Sequence, residues 1–143
     1  MSVNLNPYLN FKDNTREAME FYHSIFGGKL DMNTFGDFHA TEDPAETDKI
    51  MHAQLEGDNG IVFMAADTPG HMDYKPGTNF SMSLSGDDAA MLKDWFAKLT
   101  EGGTVIMPVG KSPWGDEFGM GHDKFGVSWL VNITGQQAAT KEA

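Results

Sequence analysis

The sequence predicts an α+β fold built from two βαβββ modules in one chain. Three observations lead there. Two amphipathic helical stretches occur, and each ends in a glycine pair, Gly27-Gly28 and Gly102-Gly103, 75 positions apart. One strand-like run precedes each helix and three follow it. A turn glycine also repeats, Gly60 and Gly126, at an offset of 66. A repeat on this scale implies two supersecondary units, each with an apolar sheet face that needs cover.

The first run is LNPYLNF (5–11), where Asn6 and Tyr8 share a face by strand alternation. Asn14 is the expected helix start, and Ala18, Phe21, Tyr22, Ile25 and Phe26 recur at helical spacing up to Gly27-Gly28. Strands are then expected at 30–35, 50–57 and 61–66, with DNG at 58–60 as a hairpin turn. In the second half, NFSMSLS (79–85) alternates Phe80, Met82 and Leu84 with serine. Asp87 or Asp88 opens a helix whose stripe is Leu92, Trp95, Phe96 and Leu99. Strands follow at 104–109, 116–123 and 127–133, the last two joined by Asp123-Lys124-Phe125-Gly126. The first half is nine residues longer between landmarks, and the acidic loop GDFHATEDPAETDK (36–49) accounts for the excess. The expected organisation is a first module at 1–70, a linker at 71–79, a second module at 80–135 and a polar, flexible tail at 136–143.

Composition narrows the function. The 143 residues suffice for a buried core. Lys and Arg number 10 against 21 Asp and Glu, a net charge of −11 that opposes nucleic acid and anionic membrane surfaces. The partner expected is therefore a small organic molecule. There is no cysteine, which removes thiolate nucleophiles, disulfides and Cys-bound metals. No 18 apolar residues run together and the N-terminal stretch lacks a basic region before an apolar run, so a cytoplasmic location is expected.

The succession NPYLNF, a helix ending FYHSIFGG, HAQLEGDNGIVFMAAD and then WGDEFGMGHDKFGVSWLVNI resembles the vicinal oxygen chelate superfamily. Within it, roughly residues 3–135 are most similar to the PhnB-like branch of the glyoxalase, bleomycin resistance and extradiol dioxygenase relatives. Some members of that branch carry the label 3-demethylubiquinone 3-methyltransferase. The sequence gives that label no chemical support, because no Gly-rich loop follows a strand and no acidic ribose partner is found. The resemblance implies curved mixed sheets around a cleft, commonly completed in a homodimer. In metal-dependent relatives it implies one ligand from the first strand of each module and one from a later strand of each. On this chain those positions fall on Asn6, on His52 or Gln54, on Phe80 or Ser81, and on Trp129 or Leu130. A catalytic divalent ion needs three good N or O ligands. The expectation is accordingly no metal and no other cofactor.

The candidate site residues come from two places. Tyr8 offers a phenol and Asn6 an amide on one strand face, and His52 sits between Met51 and Ala53 as a donor or general base. The segment SPWGDEFGMGHDKFGVSW (112–129) mixes large apolar rings with turn residues and polar tips. Alternation from Asp116 puts Asp116, Phe118, Met120 and His122 on one face, with Trp114 beside them, whereas Trp129 and Phe125 read as core and Asp123 as a turn residue. His122 and Asp123 are adjacent and point to opposite faces, which argues against a metal there. His23, His39 and His71 read as surface residues, and the ten methionines as adaptable core filler.

The function these residues imply is binding of a small organic ligand in the sheet cleft, without the usual metal, by Asn6, Tyr8, His52, Phe80, Trp114, Asp116, Phe118 and His122. If a reaction occurs, His52 is the expected acid or base, with Tyr8 or Asp116 assisting. Two alternatives stand beside it. One is a metal-dependent lyase or dioxygenase resembling glyoxalase I; the other is a drug-sequestering protein resembling the bleomycin resistance proteins.

Overall fold

The computed structural model describes residues 3–70 and 72–135. The expected tail at 136–143 and His71 lie outside them. The chain divides into two compact units, Met1–Gly77 and Thr78–Ala143.

The first unit runs β1 (Tyr8–Phe11), α1 (Thr15–Phe26), β2 (Lys29–Thr34), β3 (Ile50–Glu56), a short 3-10 turn at Asp58–Gly60, and β4 (Val62–Asp67). Its sheet has the order β1-β4-β3-β2, with β1 parallel to β4 and the other pairs antiparallel. Alternation sends Leu9, Phe11, Ala53, Leu55, Phe63 and Ala65 to one buried face, and Ala18, Met19, Tyr22, Ile25 and Phe26 form the buried stripe of α1. Tyr22 and Phe26 meet Phe63 edge-on at 5.5 and 6.2 Å. A bulge breaks the alternation. Asn33 pairs with His52 and Thr34 with Ile50, so Met51 is the extra residue. Ile50 and Ala53 are thereby both buried, while Met51 and His52 between them turn away from the helix side.

The second unit repeats the plan: β5 (Met82–Gly86), α2 (Ala89–Thr100), β6 (Thr104–Lys111), β7 (Glu117–His122) and β8 (Ser128–Ile133), in the sheet order β5-β8-β7-β6. Again the first strand pairs with the last in parallel. Met82, Leu84, Trp129, Val131 and Ile133 are buried, as are Leu92, Trp95, Phe96 and Leu99 of α2. The repeat extends to atomic detail. A Cβ at Gly28 would lie 2.0 Å from the Glu56 carbonyl oxygen, and one at Gly103 would lie 2.1 Å from that of His122, so in both units the helix exit passes too close to a strand for any side chain. Gly60 and Gly126 both hold a positive φ, 78° and 88°.

Two buried carboxylates tie the units internally. Asp123 is 3% exposed; its Oδ1 accepts from the Phe125 and Val127 amides at 2.8 and 3.0 Å, and its Oδ2 from Trp129 Nε1 at 2.8 Å. The expected turn residue thus also anchors the core indole. Asp67, 5% exposed, accepts from the Thr15 amide at 3.0 Å and the Ile50 amide at 2.8 Å. Asn14 stands at the N-cap of α1 as expected, but its side chain makes no capping bond; Asp67 serves the first helical amide from a distant strand. Asp88 caps α2 by the local route, accepting from the Met91 amide at 3.0 Å.

Three candidate residues fall outside the strands expected to carry them. Asn6 precedes β1, because Pro7 has no amide to give the ladder and only its carbonyl joins, accepting from Met64. Phe80 precedes β5, since the partner strand β8 begins at Ser128 and Met82 already pairs with Trp129; Phe80 is 61% exposed. Asp116 precedes β7, whose ladder ends at the Glu117–Ile133 pair. His23 is half-buried rather than solvated, its Nε2 lying 2.9 Å from the Gly28 carbonyl oxygen. Phe125 is half-buried, with the Lys124 ammonium 5.5 Å from its ring centre. Of the strand methionines, Met82 is buried as filler should be, but Met51 and Met107 are 37% and 47% exposed.

Candidate functional site

In the first unit the sheet face turned away from α1 carries the polar candidates. Tyr8 lies opposite Met64, Met64 opposite Gln54 and Gln54 opposite Asp31, so one row crosses all four strands. Plain alternation with buried Ala53 and Leu55 turns His52 onto this face, and the Tyr8 hydroxyl lies 3.3 Å from His52 Nδ1, with ring centres 5.9 Å apart. That distance is long for a hydroxyl donor, so the pair is loosely coupled. Partial burial raises the Tyr8 phenol above its ordinary range, which keeps it protonated and able to donate at neutral pH. A phenol donating to Nδ1 leaves the proton of neutral His52 on Nε2, where it is a donor to anything lying on this face. Gln54 Nε2 donates to Glu56 Oε1 at 2.8 Å on the same side. Asn6 stands outside the strand and joins none of these contacts.

In the second unit the candidates gather around the β6–β7 turn. A groove of about 330 Å³ opens there. Met107 and Pro108 of β6, Pro113 and Trp114 of the turn and Phe118 of β7 give it an apolar lining, and Lys111 and Ser112 are its polar members. The ladder slips on both sides of Met107, between Val105 and Met107 and between Met107 and Gly110. Pro108 cannot donate to a ladder, and such irregularities belong on an edge strand, which β6 is. Trp114 and Phe118 meet edge to face at 5.4 Å.

A side-chain relay fixes the Trp114 wall. Trp114 Nε1 donates to Asn132 Oδ1 at 3.1 Å, and Asn132 Nδ2 donates to Asp116 Oδ2 at 3.0 Å. Asp116 Oδ1 accepts from the Gly135 amide at 3.2 Å, and its carbonyl oxygen accepts both the amide and the hydroxyl of Ser112 at 2.8 Å. Asp116 therefore positions the groove and does not line it. The structure brings together Trp114, Phe118 and Asp116. It leaves Phe80 apart, and His122 lies beyond the groove, exposed and opposite Ser128, whose hydroxyl is 2.7 Å from that of Ser81. Sequence reasoning missed Lys111 and Asn132. Asn132 had a signal, an amide side chain inside VSWLVNI between buried Val131 and Ile133.

A second cavity, of about 510 Å³, lies beside the start of α1 and is lined largely by charge, including Asp13, Arg16, Glu17, Glu46 and Lys49. Part of this charge is paired internally. Lys49 Nζ is 3.0 Å from Asp13 and also pairs with Glu46, and its hydrogen bonds to Glu46 and Asp13 raise the ammonium above its ordinary range.

The residues present do not fit the four-ligand divalent site of metal-dependent relatives. Trp129 is buried on the helix side with its indole on Asp123, Leu130 is a hydrocarbon, Asn6 and Phe80 precede their strands, and His52 stands alone as a good ligand. Among the described residues no three His, Asp or Glu side chains come together as a metal site. Neither strand-to-helix connection is a glycine-rich loop: the β1–α1 connection is Lys12-Asp13-Asn14, and the β5–α2 connection ends β5 on one glycine followed by Asp87-Asp88.

Comparison with known proteins fits this geometry. The family model described as 3-demethylubiquinone-9 3-methyltransferase matches residues 3–132. Protein PA1353 from Pseudomonas aeruginosa, of known crystal structure, is 42% identical with a TM-score of 0.81, over 92% of this chain and 98% of that one. Protein YjdN of Escherichia coli is 29% identical over 93% of this chain and 97% of its own length. A solved structure from Bacillus cereus, titled as a putative 3-demethylubiquinone-9 3-methyltransferase, PhnB protein, is 26% identical with a TM-score of 0.71, over 92% of this chain and all of that one. The fold alone is shared with a glyoxylase/bleomycin resistance protein/dioxygenase domain from Frankia sp. EAN1pec, at 14% identity and a TM-score of 0.65, over 94% and 99% of the two chains.

Proposed function

The chain belongs to the PhnB-like 3-demethylubiquinone-9 3-methyltransferase family, whose structural neighbours are members of the glyoxalase/bleomycin resistance/dioxygenase superfamily, and from that premise we propose that it binds a small organic molecule without a metal ion. The observation that carries this reading is the groove of about 330 Å³ at Trp114 and Phe118, whose volume and apolar lining with few polar members match small-molecule sites. Methyl transfer, which the family description names, is not part of this reading, because neither strand-to-helix connection carries the glycine loop that receives a nucleoside cofactor in dinucleotide-binding folds. The test is a ligand screen read at the indole N–H resonance of Trp114, assigned by loss in Trp114→Phe. Compounds that bind yet never move that resonance would refute the groove as the site.

A second reading is favoured by the Tyr8–His52 pair. His52 acts as a general base or acid on a ligand held against the open face of the first sheet, and Tyr8 holds its tautomer. Its test is turnover rather than binding: His52→Gln removes any reaction found while leaving affinity within a few-fold. The protein works as a homodimer in the cytoplasm. Support for the dimer is the edge strand β6, where Val105, Ile106 and Met107 are 46%, 53% and 47% exposed in an uncharged run that would otherwise invite unregulated pairing. Among the described residues no helix is long and apolar enough to cross a membrane.

A further inference from the structure

We infer that the groove at Trp114 selects a carbon-rich ring system poor in hydrogen-bond acceptors, and that Asn132, which stands outside the lining, sets this selectivity. The inference rests on the small-molecule reading of that groove and goes beyond it by naming the ligand's chemistry and the residue that decides it. Trp114, Phe118, Met107 and two prolines supply surface to a ring body. The side-chain donors of the lining have partners within the chain. Trp114 Nε1 donates to Asn132 Oδ1 at 3.1 Å, the Ser112 hydroxyl donates to the Asp116 carbonyl oxygen at 2.8 Å, and Lys111 holds an interaction of its own. An acceptor atom brought into the groove loses its water and meets donors already engaged, which costs affinity.

Asn132 decides this because an indole has one hydrogen-bond donor, and here Asn132 takes it. Its own orientation is fixed from behind: Nδ2 donates to Asp116 Oδ2 at 3.0 Å, so Oδ1 is the atom that meets the indole, and Asp116 Oδ1 in turn accepts from the Gly135 amide at 3.2 Å. The sheet itself asks for no amide at this position. The offset of 66 that carries Gly60 to Gly126 carries Ala66 to Asn132, and the two stand at matching places in their ladders, Ala66 opposite Asn10 and Asn132 opposite Ser85. A methyl group suffices there in the first unit, whereas in the second the amide serves Trp114 and makes the largest ring of the groove behave as hydrocarbon.

Naphthalene and quinoline test this, because they share one shape and differ by a single acceptor nitrogen that is uncharged above neutral pH. Their relative affinities are read as retention on the immobilised full chain, and their place of binding at the Trp114 indole N–H resonance. The unaltered chain is expected to hold naphthalene about tenfold more tightly than quinoline. Asn132→Ala is expected to cut that ratio about fivefold, the effect of one neutral hydrogen bond, whereas a general loosening of the wall would weaken both probes alike and leave the ratio unmoved. Trp114→Phe keeps a ring and removes the donor, so the ratio should stay within about twofold of the unaltered chain, with or without Asn132→Ala; alone, it is an arm that stands even if Asn132→Ala fails to fold. Quinoline held as tightly as naphthalene by the unaltered chain, a ratio that survives Asn132→Ala, or a ratio that moves in Trp114→Phe alone overturns the inference and leaves the groove standing. If neither probe moves the Trp114 resonance, the groove reading falls and this inference with it.

Discussion

Replacing Trp129 by alanine and Trp114 by alanine separates core from groove. Trp129 is 1% exposed, and its indole nitrogen donates to the buried Asp123 carboxylate at 2.8 Å. Truncation opens a cavity costing about 3 to 5 kcal/mol and removes a hydrogen bond to a charged acceptor worth about 1.5 to 3 kcal/mol. The sum, about 4.5 to 8 kcal/mol, is comparable to the whole stability of many domains. Trp114 is 49% exposed. Truncation there removes roughly 100 Å² of buried apolar area, about 2.5 kcal/mol at ~25 cal/mol/Å² and an upper bound. At about 2 to 4 °C per kcal/mol, Trp114→Ala should lower the melting temperature by less than about 10 °C, whereas Trp129→Ala should leave the second unit unfolded or melting far lower. The assay is urea unfolding followed by far-ultraviolet circular dichroism, with ligand affinity measured on the same samples. Trp129→Phe, which keeps most of the volume and loses the donor, should cost about 1.5 to 3 kcal/mol. Equal destabilisation by Trp114→Ala and Trp129→Ala, without a separate loss of ligand affinity for the former, would refute the assignment of Trp114 to a binding wall.

Three further outcomes are expected. The Tyr8 phenol and the Lys49 ammonium both titrate above their ordinary values in the folded chain, so the stability linked to them is complete below pH ~10 and declines as pH rises through the folded-state values; in urea titrations from pH 8 to 11.5, Tyr8→Phe and Lys49→Met should each flatten that decline. Stoichiometric Zn, Ni, Mn or Fe added to chelator-treated protein should not raise the melting temperature beyond a weak surface effect, and a shift of several degrees with one tightly held ion would overturn the metal-free reading. Sedimentation at micromolar concentration should give twice the mass of one chain, whereas a single-chain mass would leave the β6 edge needing another explanation.

The βαβββ repeat was legible because its signals are local: apolar spacing in the helices and glycines where the exiting chain passes a carbonyl. Gly28 and Gly103 show why the glycine pairs recur, since a Cβ at either position collides with backbone. Strand starts were less legible. Asn6, Phe80 and Asp116 each failed for want of a ladder partner, and partners are set by sequence-distant segments. The burial of Ile50, which alternation alone would put on the same face as His52, depended on a bulge that IMHAQLE does not reveal. Tyr8 and His52 could be suspected singly, but their meeting across 44 residues is a property of the sheet. Asp67 escaped notice because a carboxylate at a strand end reads as a turn residue unless the amides it receives are known.

Asp67 also sets the order in which the first unit can be completed. The α2 helix carries its own cap one residue ahead, whereas the first amide of α1 waits for a carboxylate 52 positions downstream. A peptide covering 86–103 should therefore be more helical in isolation than one covering 12–28, despite similar length. On the ribosome, the start of α1 can form and dissolve repeatedly until residue 67 has emerged, and the same carboxylate then secures the Ile50 amide at the start of β3. Closure of the first unit is thus a long-range event that costs loop entropy before any contact repays it, as the parallel pairing of β5 with β8 is in the second.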